Sequence, residues 1–157
     1  MKKLILILPL FLLILSIILT GCKQKVDTKN IYVTEYNNLM KAVDDLSSHI
    51  NITEVSKEYP GVLSDSYYKN YDGIYFETSK KDIGMNNESI SNISNLMNKY
   101  FVRIIIDRAE NIIIFQTISE FGYGEYLIYS KNKIQQSDKT LTLSSWLDDN
   151  WYIATSN

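Results

Sequence analysis

Apolar residues recur along this chain with three different spacings, and each spacing predicts a different kind of element. From Leu4 to Leu19 they are nearly continuous, 16 positions broken only by Pro9 and Ser16. From Glu35 to Ile50 they fall at three- and four-residue intervals, at Tyr36, Leu39, Met40, Val43, Leu46 and Ile50, which lays one apolar stripe along a helix. Thr34 is placed to cap that helix, with Glu35 at the positive end of its dipole. Asn37, Lys41, Asp44, Asp45 and Ser48 take the polar face. Ile90, Ile93, Leu96, Met97 and Tyr100 repeat the same spacing and predict a second helix from about Glu88 to Tyr100, capped by Asn87 or Ser89.

The third spacing is that of strands. Ile74–Thr78, Val102–Asp107, Asn111–Ile118, Glu125–Ser130 and Trp151–Thr155 are dense in β-branched and aromatic residues. Turns are expected at Tyr59-Pro60-Gly61, Asp72-Gly73, Arg108-Ala109-Glu110, Glu120–Gly124 and Asp148-Asp149-Asn150. Lys131–Lys139 is polar and reads as a longer loop. Strands joined by short loops must run antiparallel, because a parallel return needs a crossover of about a dozen residues. The expected fold is therefore α+β, two helices packed on an antiparallel β-meander of about four to five strands.

The continuous apolar run follows Met1-Lys2-Lys3 and ends in small residues, the charged, apolar, small order of a secretory signal. It is shorter than the about 20 residues of a spanning helix. Leu19-Thr20-Gly21-Cys22 resembles the lipobox of bacterial lipoproteins: an aliphatic residue, two small residues and a cysteine. That resemblance covers residues 1–22. It implies cleavage between Gly21 and Cys22, a diacylglyceryl group on the Cys22 thiol and acylation of the new amino terminus. Residues 1–21 are then a removed signal peptide, 22–30 a short polar lipidated tether, and 31–157 a single domain on the extracytoplasmic face of the cell membrane. Two or three chains anchor durably, each buried methylene contributing about 0.8 kcal/mol.

Removing residues 1–21 leaves 136 of the 157 residues, with 14 basic side chains against 18 acidic. This excess of acid gives no footprint for nucleic acid. Cys22 is the sole cysteine, so the domain is expected to rely on apolar packing without disulfides.

Little in the sequence points to catalysis. Lipidation takes the only thiol, and the only histidine, His49, lies beside the apolar stripe near a helix end, as a boundary residue does. No Gly-x-Ser-x-Gly elbow, Gly-rich phosphate loop, His-x-x-x-His pair or calcium loop occurs, so no metal or cofactor is expected. Asp107, Glu110, Glu120, Glu125, Asp148 and Asp149 sit at predicted strand ends, where two of them would serve a hydrolase if they met across a cleft. The residue type in excess is tyrosine, 12 in all. Tyr67, Tyr68 and Tyr71 fall in one stretch, and Phe121 and Tyr123 in another. Tyrosine buries a ring while its hydroxyl reaches water, which suits contact with an envelope protein or glycan. The same residue also serves cross-strand pairs and core edges. The expected function is a membrane-anchored, non-enzymatic binding module. The alternative is a small envelope hydrolase using a carboxylate pair.

Overall fold

The computed structural model describes residues 27–58, 66–117, 124–132, 134 and 141–156. Cys22 and its signal, the Tyr59-Pro60-Gly61 turn, Phe121 and Tyr123 lie outside the described residues. The elements are α1 (Thr28–Ser48), β1 (Ile52–Ser56), β2 (Tyr67–Tyr71), β3 (Ile74–Thr78), α2 (Asn87–Lys99), β4 (Phe101–Asp107), β5 (Ile112–Thr117), β6 (Glu125–Ser130), β7 (Leu141–Trp146) and β8 (Trp151–Ser156).

The strands form one antiparallel sheet in the order β2-β3-β1-β4-β5-β6-β8-β7, which overturns the expected meander of four to five strands. Three of the eight strands escape the periodicity, each for a physical reason. In β1 the register shifts between Ile52 and Glu54, and in β7 between Leu143 and Ser145. A bulge of this kind breaks the alternation of a short strand, whereas β4, bulged between Phe101 and Arg103, is still marked by its run Ile104-Ile105-Ile106. β2 is an edge strand of Tyr, Lys and Asn, with no fully buried residue. The order is not a meander either. β3 and β4 both pair antiparallel with β1 and so run parallel to each other, with α2 as their crossover.

α1 starts at Thr28, seven residues before its expected first turn, because Asp27 caps it: the Asp27 side chain accepts from the Lys29 and Asn30 amides. Two segments meet at a kink at Glu35, whose φ of −112° is not helical. There Glu35 accepts from Asn38 Nδ2 at 2.6 Å and from the Tyr100 hydroxyl at 2.8 Å, with Lys99 3.9 Å away. The Asn38 bond first, and then the Tyr100 bond, hold the Glu35 carboxyl below the usual glutamate range. A depressed folded-state pKa contributes stability above the unfolded pKa and loses it as pH falls through the folded value. Glu35→Gln is expected to flatten the acid side of the stability profile, measured as denaturant midpoints from neutral to acid pH.

Asn86, one residue before Asn87 and three before Ser89, the two expected caps, caps α2 by accepting from the Ser89 amide. The two helices pack on each other, α1 also on β6 and α2 on β4, with a Lys41–Glu88 ion pair between them. The core beneath joins Leu39, Leu46, Ile93 and Met97 of the helices to Val55, Phe76, Phe101, Ile104 and Phe115 of the sheet. Its aromatic centre is Trp151, 1% exposed, with Phe115, Tyr129 and Tyr32 within 6 Å, centroid to centroid. At the β2–β3 turn, Asp72 (φ 52°) and Gly73 (φ 83°) take the left-handed backbone that a two-residue hairpin demands.

Candidate functional site

Both helices lie on one face of the sheet, since the cluster that holds their buried residues takes one alternating set of strand side chains. The other set forms the outer face. Registers trace two rows across all eight strands. One passes through Tyr68, Glu77, Glu54, Ile105, Ile114, Ile128, Tyr152 and Trp146. Its neighbour passes through Asn70, Tyr75, Ser56, Arg103, Gln116, Tyr126, Ala154 and Leu143.

The character of this face changes along the rows. On β5 to β8 it is apolar: Ile128, Tyr152 and Ala154 are buried, with Ile112, Ile114, Tyr126, Ile134, Leu141 and Leu143 packed against them. Trp146, 58% exposed, ends this side with its ring edge-on to Tyr152 at 4.9 Å. On β1 to β4 the face is charged and aromatic. Arg103 donates to Glu54 at 2.5 Å. That bond first, and the nearby charges of Glu54, Glu77 and Glu58 with it, raise the guanidinium pKa against the opposing effect of burial. One carboxylate thus bonds the cation and two more lie near enough to act on its charge. Beside them, Ser56, Glu58, Val102, Arg103, Gln116, Thr117 and Gly124 line a cleft of about 350 Å³.

The tyrosines singled out from sequence are divided by the pleat of β2. Tyr67 and Tyr71 stand opposite Thr78 and Ile74 on the helix side, whereas Tyr68 stands opposite Glu77 on the outer face. Tyr71 is half-buried, edge-on to Phe76 at 5.6 Å, and packs against the core. Tyr67 is 49% exposed. The three therefore do not form one contact surface. The residue that joins Tyr68 is Tyr75, which the sequence places in a strand; β2 had to be recognised as its partner before the two could be put together.

Three of the five described acids at strand ends, Asp107, Glu125 and Asp148, already accept hydrogen bonds within the domain. Asp107 accepts from the Ala109 and Glu110 amides, and Asp148 from those of Asn150 and Trp151. Asp148 also accepts from the Tyr32 hydroxyl; burial first, then that bond and charge, push the Tyr32 pKa up. Glu125 accepts from Thr28 at 2.6 Å. Glu120 lies outside the described residues. His49 is the C-cap of α1, with Nδ1 2.7 Å from the Asp45 carbonyl and Nε2 3.2 Å from that of Gly84. Among the described residues no group of His, Cys, Asp and Glu could hold a metal ion, and no helix is long and apolar enough to cross a membrane.

No family model, curated protein or solved structure matches this chain.

Proposed function

We propose that the chain is a lipid-anchored, extracytoplasmic binding module that meets an envelope protein or glycan with the outer face of its sheet. The observation that supports this reading most is the polar half of the two rows, on β1 to β4, with no described helix over it. It carries tyrosine rings and a guanidinium bonded to a carboxylate on one face, and that combination stacks on apolar surface while offering both donors and acceptors. The bond to half-buried Glu54 fixes the position of an exposed fork whose other donors can meet a partner. The lipobox at Leu19-Thr20-Gly21-Cys22 supports the location.

Arg103→Ala combined with Tyr75→Ser tests the surface. The double variant is expected to lose retention on isolated cell-wall polymer and on immobilised membrane-protein extract at least tenfold, the loss of about 1.4 kcal/mol of contact energy. Its thermal midpoint, measured in parallel, reports whether the sheet stays folded. Retention equal to wild type on both materials contradicts the assignment.

A further inference from the structure

The first three turns of α1 carry an exposed stripe that the core does not use. Lys29, Val33 and Tyr36 recur at i, i+4 and i+7 and are exposed, whereas Thr28, Ile31 and Leu39 of the same helix are buried. Val33 is 66% and Tyr36 41% exposed, two of the five large exposed hydrophobics among the described residues. The stripe is held in place. Tyr36 leans edge-on against Tyr32 at 5.4 Å, and Tyr32 is pinned by its hydroxyl to Asp148 and by its ring to Trp151. The stripe crosses the kink at Glu35, with Lys29 and Val33 before it and Tyr36 just after it.

Its covalent position says what lies against it. On the lipoprotein reading proposed for this chain, on which this inference rests, the lipid is on Cys22. The six residue steps from Cys22 to Thr28 reach at most about 20 Å when fully extended. The start of α1 therefore cannot leave the neighbourhood of the headgroups. It is also fixed to the sheet, because Thr28 donates to Glu125 at the start of β6. A tyrosine, an aliphatic side chain and a lysine with an apolar stem on one helix flank form the composition of a segment that lies in a lipid interface.

We propose that Lys29, Val33 and Tyr36 rest in the headgroup layer, so that the domain is seated on the bilayer by the flank of α1 as well as by its lipid. The β2–β3 edge, at the opposite end of the strand order from β6 and β8, is then held away from the membrane. The polar half of the outer face belongs to that edge and faces the envelope.

The full-length protein in phosphatidylcholine vesicles tests this, because a lipidated Cys22 leaves no other thiol. Val33→Cys, Tyr36→Cys and Asn70→Cys each take one environment-sensitive fluorophore. The labels at 33 and 36 are expected to shift to the blue and to lose most of their emission to a quencher carried on lipid headgroups, while the label at 70 does neither. Equal quenching at all three positions, or quenching at 70 alone, overturns the seating. A blue shift at 33 and 36 without headgroup quenching also overturns it and points to a protein on the stripe. Wild-type protein that takes up the fluorophore has a free Cys22 thiol, which removes the anchor reading and the seating with it. Position 33 is exposed and each variant's thermal midpoint is read beside its spectrum, so loss of fold is seen directly.

Discussion

Arg108→Ala is expected to lower the stability of the domain by about 3 kcal/mol, and its thermal midpoint by roughly 10 °C. Arg108 stands in the β4–β5 turn and reaches back to the end of α1. Its Nη2 donates to the carbonyls of Leu46, His49 and Ile52 at 2.8, 3.0 and 3.0 Å, with Nη1 3.5 Å from that of Ser47. The last carbonyls of a helix have no partner within it, and a cation there also meets the negative end of the dipole. One guanidinium thus satisfies the end of α1, the start of β1 and the bend between them. Burial presses its pKa down, yet a guanidinium stays charged at neutral pH. The two hydrogens on Nη2 are shared among three carbonyls, so the set counts as about two charge-assisted bonds at the low end of about 1.5–3 kcal/mol each, and the carbonyls left behind would have to find water. Arg108→Lys is expected to recover only part of the loss, since an ammonium group does not reproduce the planar fork. Denaturant unfolding of the three proteins checks this. A midpoint for the alanine variant within experimental error of wild type would mean that the carbonyls are satisfied without the guanidinium.

This brace shows where sequence reading stops. The second helix was legible to within a residue at each end, and five of the strands lie where β-branched residues are dense, because one-sided burial imposes a period on the chain. The Asp72-Gly73 turn was legible as well, since its backbone demands those residues. Strands β1 and β7 were not, because in a short strand a bulge leaves few residues in phase, whereas β4 keeps the run Ile104-Ile105-Ile106 past its own bulge. β2 was hidden by its composition, and so Tyr67, Tyr68 and Tyr71 looked like one cluster when the pleat sends them to two sides. The start of α1 was missed because Lys-Gln-Lys-Val-Asp-Thr-Lys-Asn reads as a tether, and only Asp27 in its cap position reveals a helix. Arg108 was read as part of a short turn. Its partners lie more than 50 residues away, and no local spacing carries that information. The outer face is a property of register across eight strands and has no signature within any one of them.

Everything proposed about surface and seating depends on the thiol at Cys22. The apolar run before it is too short for an easy span, and the domain beyond it begins to fold at Thr28. With lipid on the sulfur, the domain is held within a few nanometres of the bilayer and meets only partners at that surface. Without it, the stripe on α1 loses its stated occupant and the outer face its stated setting. The direct measurement is intact mass of the membrane-associated protein beside a Cys22→Ser variant. The wild type is expected to weigh as residues 22–157 plus a diacylglyceryl group, with or without a further acyl chain, and the variant to keep residues 1–21 and carry no lipid. A wild-type mass with no lipid, unchanged in processing and in membrane fraction by the substitution, would contradict the account.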